Sequence, residues 1–500
     1  MTEQRDFRRL ALAVTAAVMS LGVVVATAPT TTASATAETS QSQPRRAKAP
    51  DAQAAKARQE AKQAAKAATK AEKAADAATK AVEKALEKAQ KMRDRAVKSG
   101  TPEARKKNFA AWAAFKSAKK AEKKATKKAE KATRIAEKKQ TVAEKKTAQA
   151  VDVKSVSIEA LPAIHQPGGT PLSADAASNV VTAAVSPRIP YIPVVVEARV
   201  GATWKSVAKA QTDASGQVVV PVPQHAAYRA VAKEKASAAD TVAYGLDFSD
   251  EFTRGELGPG WYHRMQEHSP ESNRACSKGD PRAVQVTGAT LHLSVLRDPD
   301  RTDLCPALRK GVHEGPFSYR LNGHVSTEKS YSFTYGVVAA RMKFQQASEG
   351  QHSSFWLLPA SSSGGGVGPE HQGAEIDVVE YFGTKKNSSG LAQFTYHNDP
   401  SGNRVKTGDV LEDVDRFLAD KSDTWFDRYH VFSVQWTPNE YIFRIDGKES
   451  WRSSVGVSQQ RQFIILSLLS SDYAIANAGV EGEAALGTQH TDVDWVRVWR

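Results

Sequence analysis

Three carboxylates lie within six residues of one another, in the stretch Glu375-Ile376-Asp377-Val378-Val379-Glu380. Carboxyl groups this close repel one another when they are ionised, so at least one of them should have a raised pKa. A protonated carboxyl beside an ionised one is what general acid and base catalysis requires. The alternative is an exposed strand with a solvated acidic face.

The spacing of the three acids sets a condition on the strand that carries them. Side chains alternate along a strand, so Glu375 and Asp377 point to one face, whereas Glu380, five positions beyond Glu375, would point to the other. One extra residue, accommodated as a β-bulge near Val378 or Val379, returns Glu380 to the first face. We therefore expect a bulged strand with all three acids along one groove and apolar side chains behind it.

The surrounding chain is predicted to be all-β. Seven of the nine tryptophans lie beyond residue 245, as expected if some rings fill a core and others offer flat faces to sugar rings. About 255 residues suit one large sandwich. Strands are predicted at 289–296, 335–344, 430–436, 441–445, 462–469 and 493–499.

At this point the sequence resembles a known family. The stretch from Glu375 to Tyr381 resembles the signature of glycoside hydrolase family 16, in the bulged form typical of laminarinase-like β-glucanases. The resemblance runs through residues 244–500 and includes the segments 248–252, 333–344, 354–359, 432–436, 446–448 and 492–498. It implies an all-β jelly-roll (concanavalin-like β-sandwich) catalytic domain.

The resemblance also implies roles for the three acids. Glu375 would be the nucleophile, Glu380 the general acid and base, and Asp377 the residue between them that tunes their protonation. An intact trio of this kind speaks for catalysis rather than for mere glycan binding.

Other residues are expected to bind substrate because of the same resemblance. Trp356 would be a sugar platform, and His397 would touch the substrate near the cleavage point. Arg341 and His324 are also expected to bind substrate, His324 standing where an arginine is common. A core tryptophan and a loop histidine remain the alternatives for Trp356 and His397.

No cofactor is expected, but members of the family often hold a structural calcium ion away from the chemistry. Asp494 matches a calcium ligand of some members, with a buried structural aspartate as the alternative. The chain has two cysteines, Cys276 and Cys305. In an exported chain an even number of cysteines predicts one disulfide.

Export is predicted from residues 1–37. Arg5, Arg8 and Arg9 precede an apolar run at 10–28, and small residues follow it, as in a cleaved signal peptide. An uncleaved membrane anchor is the alternative. No later segment is expected to cross a membrane, so we expect a secreted protein, either extracellular or associated with the cell envelope. Residues 38–50 are predicted to be a linker.

Residues 51–150 are predicted to form two long basic helices. Residues 45–150 hold 32 Lys and Arg against 12 Asp and Glu, and the break between the helices falls at 99–102. In the second helix lysines recur at spacing four, which destabilises a helix unless a polyanion relieves the repulsion. Anionic cell-envelope polymers are therefore expected partners. An inert, solvated spacer is the alternative, and no sequence-specific reading of nucleic acid is indicated.

Residues 151–240 hold short β-rich runs between turn clusters, which predict a small β-sandwich. They weakly resemble bacterial immunoglobulin-like accessory modules. The full prediction is thus a Lys/Ala-rich α-helical segment, a small sandwich, and the jelly-roll domain at 244–500.

Taken together, these features predict a secreted, retaining endo-glycosidase that hydrolyses β-1,3 or mixed-linkage β-glucans. A neutral glucan is favoured because Lys385 and Lys386 are the nearest cations in the sequence and lie beyond the acids. An envelope transglycosylase and an envelope-binding structural protein remain alternatives. Motifs typical of zinc proteases, phosphate-binding loops and α/β-hydrolases are absent from the sequence.

Overall fold

The structure is a computed structural model of the 500-residue chain. It describes residues 49–171, 176–225, 227–269, 274–309, 312–313, 315–346, 350–360, 366–383, 390–412, 414–418, 423–470, 484 and 486–500. The predicted signal peptide and most of the predicted linker lie outside these residues, as do Lys385 and Lys386.

Two long helices form the first part of the described chain. Helix α1 spans Ala49–Ser99 and helix α2 spans Pro102–Ala150. Thr101 begins α2 as its N-cap, accepting a hydrogen bond from the Ala104 amide at 3.3 Å. The helices run antiparallel, because Ala57 and Ala61 pack on Ala143 near one end and Ala71 and Ala75 pack on Ala129 further along. The buried face is thus made mainly of alanine, as the composition predicts.

One face of α2 is covered by lysines. All of these side chains are exposed, and none of them has an ion pair with any other described residue. They lie opposite the alanines that contact α1. We call this set the lysine face: Lys116, Lys119, Lys120, Lys123, Lys124, Lys127, Lys128 and Lys131.

Of the helices in the described part of the chain, none has the length and hydropathy that a membrane crossing needs.

A small two-sheet sandwich follows the helices. Its strands are β1 (Ser155–His165), β2 (Ser178–Ser186), β3 (Pro193–Val200), β4 (Thr203–Gln211), β5 (Gln217–Val222), β6 (Tyr228–Ala232) and β7 (Lys235–Ala236). One sheet has the order β1-β2-β5 and the other β4-β3-β6-β7. Val181, Val196, Val220 and Tyr228 lie in the core between the two sheets.

The remaining strands form the large β domain. They are β8 (Leu246–Asp250), β9 (Tyr262–His263), β10 (Ser277–Gly279), β11 (Val284–Thr287), β12 (Thr290–Arg297), β13 (Leu304–Cys305), β14 (Leu308–Arg309), β15 (Val312–His313), β16 (Phe317–Ser318), β17 (Arg320–Ser326), β18 (Gly336–Lys343), β19 (Gln351–Pro359), β20 (Glu375–Tyr381), β21 (Leu391–Asn398), β22 (Arg404–Val410), β23 (His430–Trp436), β24 (Tyr441–Ile445), β25 (Lys448–Ser453), β26 (Gln462–Ser470) and β27 (His490–Trp499). A four-residue helix, α3 (Pro369–Gln372), precedes β20.

These strands make two layers around one core. The first layer has the order β22-β21-β20-β19-β26-β17, and the second has the order β12-β27-β18-β23-β24-β25. Pairing of β12 with β17 joins the layers. Ile376 and Val378 of the first layer share a hydrophobic cluster with Phe432 and Val434 of the second. Burial of such apolar surface is the main stabilising contribution to a sandwich of this size.

The predicted fold class is confirmed: a helical segment and a small sandwich precede an all-β jelly-roll-like domain. The predicted disulfide is also confirmed, since Cys276 and Cys305 are bonded. The contacts divide the chain into one unit containing 1–154, 185–193 and 211–216, and another containing 155–184, 194–210 and 217–500. Most of the small sandwich therefore belongs with the large domain, and the predicted domain boundaries stay a prediction.

The small sandwich packs on the second layer of the large domain. Leu161, Ile164 and Val180 share a buried hydrophobic cluster with Val337 and Trp495. The Trp495 indole donates a hydrogen bond to Gln166 Oε1 at 2.7 Å. A spacer would not be expected to contribute side chains to the core of the domain that it separates.

Arg341 lies at this junction, so its expected role in substrate binding is not supported. The side chain is fully buried, and its Nη1 donates to Asp494 Oδ2 at 2.5 Å. Its Nε donates to the Gln166 carbonyl at 2.6 Å, and its Nη2 donates to the Thr170 carbonyl at 3.0 Å. A guanidinium is a poor neighbour for a calcium ion, so the surroundings of Asp494 favour the buried structural aspartate over the calcium ligand.

We predict that Arg341→Met lowers the free energy of unfolding by about 3 to 5 kcal/mol, because it leaves Asp494 buried without its guanidinium. Urea denaturation measures the loss. The double variant Arg341→Met/Asp494→Leu should recover much of it, since no buried charge then remains. Full stability of the single variant would contradict a structural role for Arg341.

Candidate active site

The bulge predicted for the acidic strand is present in β20. Asp377 pairs with Trp356 of β19, but Val379 pairs with the preceding residue, Phe355, so Val378 is the extra residue. The register with β21 shifts at the same place, between Asp377 and Glu380. Both valines are buried in the core. The three acids consequently share the face of the first layer that points away from the core, which we call the open face.

Burial and mutual repulsion set the protonation of the acids. Asp377 is fully buried, and its pKa is raised well above the ordinary value, first by burial and then by the charges of Glu380 and Glu375. The pKa of Glu375 is also raised, mainly by burial, although Arg404 opposes the shift. A neutral Asp377 beside an ionised Glu375 is the arrangement that these directions favour.

Arg404 comes to the site from β22, an edge strand. Its Nη2 donates to Glu375 Oε2 at 3.0 Å. Its guanidinium also lies over the Tyr396 ring, 4.6 Å from the centroid. Tyr396 itself pairs with Glu375 across the β20–β21 ladder, and burial together with the three acids raises its pKa to about 12. Glu375 is thus held between a cation and a neutral phenol.

His352 holds Glu380. Its Nδ1 lies 2.8 Å from Arg274 Nη2, and its Nε2 lies 2.8 Å from Glu380 Oε1. A guanidinium only donates hydrogen bonds, so Nδ1 accepts and the ring proton of a neutral His352 is on Nε2, which donates to the carboxylate. The ring is stacked on Phe382, with centroids 4.3 Å apart. His352 therefore fixes the orientation of Glu380.

Trp356 and His324 lie on the open face beside the acids. Trp356 Nε1 donates to Ser467 Oγ at 3.3 Å, and its ring is stacked against His324 with centroids 6.3 Å apart. Burial, reinforced by Arg264 and Arg274, lowers the pKa of His324 to about 3, so the ring is neutral. Neither ring nitrogen has a hydrogen-bond partner in the described residues. Both ring nitrogens are buried, so the expected contact of His324 with substrate is not supported.

His397 lies elsewhere. Strand parity puts Phe394 and Tyr396 on the open face, since they pair with Asp377 and Glu375, and puts His397 on the opposite face. The His397 ring packs against Gly456, where a Cβ atom would lie only 2.1 Å from Nδ1. This placement does not support the expected contact of His397 with substrate.

The structure adds residues that the sequence reasoning missed. His352 could have been found, because alternate positions on one strand run from Trp356 back through Ser354 to His352. Arg404 could not, since it lies 29 residues from Glu375 and reaches it only through the register of two strand pairs.

Two carboxyl groups in different environments can do acid and nucleophilic chemistry. Glu375 accepts a hydrogen bond from Arg404, which favours its ionised form, and Glu380 is oriented by the His352 ring. Such a pair on an open face beside an indole ring suits attack on a glycosidic bond. Within the described residues, no group of three or more His, Cys, Asp or Glu side chains is placed to hold a metal ion.

Residues 275–497 match the family described as glycosyl hydrolases family 16. The match identifies a domain similar to glycosyl hydrolases of family 16 in this part of the chain. The resemblance found in the sequence is thereby confirmed, and the family 16 domain contains all three acids of the trio.

Two characterised relatives match part of the chain. A keratan-sulfate endo-1,4-beta-galactosidase of Sphingobacterium multivorum is 27% identical over 296 residues, which are 56% of this chain and 61% of that protein. A beta-1,3-glucan-binding protein 2 of Manduca sexta is 25% identical over 136 residues, which are 26% of this chain and 24% of that protein. The match thus spans less than two thirds of either relative.

Solved structures match the same part of the chain. The laminarinase catalytic domain from Thermotoga maritima is 17% identical with a TM-score of 0.38, covering 51% of this chain and 98% of that one. The endo-beta-1,3-glucanase from Pyrococcus furiosus is 19% identical with a TM-score of 0.37, covering 51% and 94%.

We predict that Asp377→Asn stabilises the family 16 domain at neutral pH. A carboxyl whose pKa is raised in the folded state binds its proton more tightly there, so its contribution to stability falls as the pH rises above the unfolded value of about 4. This loss is up to about 1.4 kcal/mol per pH unit until the native carboxyl ionises.

Chemical denaturation from pH 4 to pH 8 tests this prediction. The unfolding midpoint of Asp377→Asn should exceed that of the parent at pH 8, and the difference should shrink as the pH falls towards 4. A difference that grows on acidification would contradict the raised pKa.

Proposed function

We propose that this chain is a secreted, endo-acting glycosidase that hydrolyses β-linked polysaccharides with retention of anomeric configuration. The observation that carries the proposal is the bulged strand that brings Glu375, Asp377 and Glu380 to one open face. The match of residues 275–497 to family 16 supports the same chemistry. Secretion is proposed from the sequence of residues 1–37.

Each acid has one task in this mechanism. Glu375 attacks the anomeric carbon while Glu380 protonates the departing glycosidic oxygen. Glu380 then removes a proton from water, whose oxygen bonds to the anomeric carbon and displaces the Glu375 carboxylate. A protonated Asp377 adds no second charge beside the nucleophile. His352 keeps Glu380 oriented in both steps through its hydrogen bond to Oε1.

The backbone that we propose is a β-1,3 or mixed-linkage glucan. Trp356, which is partly exposed, offers an indole ring beside the acids for a sugar ring to stack on. The relatives and solved structures differ in the sugar, since one is a keratan-sulfate endo-1,4-beta-galactosidase and others are laminarinases. A panel of glucans and galactans, assayed for reducing ends and product size, tests the choice.

We predict that Glu375→Gln and Glu380→Gln each abolish most hydrolysis, because each removes a role that the other cannot fill. The loss should be on the order of 4 kcal/mol or more of transition-state stabilisation. Azide should partly restore turnover of Glu375→Ala by replacing the missing nucleophile. Initial rates on the best polysaccharide, with circular dichroism as the folding control, provide the measurement.

Near-parental rates of both glutamine variants would show that the trio is misassigned.

Proton NMR of the first product separately tests retention, and early appearance of the inverted anomer would exclude the two-step route. A polymer that binds without being cut by the parent protein would favour the envelope-binding alternative, and longer chains among the products would favour transglycosylation.

We also propose that the lysine face holds anionic cell-envelope polymers. The favouring observation is that these exposed lysines point away from α1 and have no acidic partner among the described residues. A polyanion would relieve the repulsion along the helix and release counterions.

We predict that changing Lys119, Lys123, Lys127 and Lys131 together to Gln lowers the salt concentration that elutes the protein from dextran sulfate. The control changes Lys62, Lys70, Lys80 and Lys88 of α1 to Gln, with the same loss of charge. If both variants elute together, net charge alone explains retention and the face has no special role.

A further inference from the structure

The edge strand β22 carries two cations on the open face. Lys406 pairs with Tyr396 and Arg404 pairs with Asn398 in the β21–β22 ladder. Tyr396 pairs in turn with Glu375. Residues opposite one another in a ladder share a face, and positions two apart on a strand do as well. Arg404 and Lys406 therefore continue the row that begins at the proposed nucleophile.

The two side chains are held differently. Arg404 is 62% exposed and bonds Glu375 with one nitrogen of its guanidinium. The Lys406 ammonium lies 3.7 Å from the centroid of Phe394 and 5.7 Å from that of Tyr396. It has no ion pair with any residue in the described part of the chain. Aromatic faces attract the ammonium but leave its hydrogen-bond donors available.

An exposed lysine on an edge strand has a simpler explanation, which is protection against pairing with another chain. Protection of the edge strand requires only that a charged side chain lie somewhere along it. It does not require an ammonium resting on Phe394, nor a guanidinium at the nucleophile. The same open face carries Arg264 over the Trp356 ring, 6.0 Å from its centroid, and Arg274 beside His352. Cations therefore lie on both sides of the acids.

We propose that Arg404 and Lys406 form an anion-binding subsite next to the nucleophile, and that the substrate carries a sulfate ester or a uronate carboxylate on the sugar bound there. Guanidinium and ammonium groups are the usual ligands of such anions. The expectation of a wholly uncharged glucan assumed that no cation lies near the acids. The fold brings two there from a distant part of the chain. This inference rests on the proposed glycosidase function and concerns the substituents of the substrate rather than its backbone.

The test compares substrates that differ only in charge. Laminarin and agarose are each supplied neutral, sulfated and carboxymethylated, and kcat/KM is measured for every polymer. The ratio of the charged to the neutral value should be about ten or more for at least one substituent on the backbone that is cut, and should fall at high salt. Sulfated and carboxymethylated arms distinguish the two sources of the anion.

Lys406→Gln should lower that ratio about tenfold, whereas the matched control Lys448→Gln, an exposed lysine of β25, should retain the parental ratio. Affinity of the Glu380→Gln protein for the same polymers, with and without Lys406→Gln, gives a second readout that needs no turnover. A ratio near one, or a ratio unchanged by Lys406→Gln, would overturn the subsite. Cleavage of no polymer while charged polymers still bind through Lys406 would instead overturn the proposed hydrolysis.

Discussion

The insertion of one residue, Val378, into β20 is the constraint on which the rest of the site depends. A regular strand would turn Glu380 into the core, where an ionised carboxyl cannot be tolerated without a partner. The bulge turns that side chain outward and buries two successive valines instead. The pairing of Glu380 with Ser354, its contact with His352 and its electrostatic coupling to Asp377 all follow from this local change of register.

Features that follow from alternation along a single strand could be predicted from the sequence. Features that depend on which residues of two strands pair could not. Alternation along one strand is enough to predict a bulge near Val378 or Val379 and the shared face of the acids, and the pairing with β19 identifies Val378 as the extra residue. The same rule applied to β19 would have found His352, and applied to β21 it would have placed His397 on the wrong face for substrate. The positions of Arg404 and Lys406 depend on which residues of β21 and β22 are paired, and residue types alone leave that pairing undetermined. The burial of Arg341 depends on the small sandwich, which covers the second layer. Nothing in the sequence around Arg341 indicates this contact.

Charge is handled in two ways within the same domain. In the second layer, Arg341 and Asp494 are both buried and neutralise each other, so the pair is inert. On the open face, three acids lie close together and repel one another. Together with burial, this repulsion raises the pKa of Asp377 and favours its neutral form. An ion pair such as Arg341–Asp494 cancels its own charges. At the three acids the repulsion remains, and it controls their protonation.

Because β1 packs on the second layer, the structural domain extends beyond the residues that match the family. Residues 275–497 match the family, yet Trp495 and Arg341 both form hydrogen bonds with Gln166, more than a hundred positions before that segment begins. A fragment trimmed to the family boundary would present an indole, a guanidinium and a set of valines to water. The segment that matches the family is thus smaller than the segment that could be detached without exposing buried side chains, because part of the small sandwich covers the second layer.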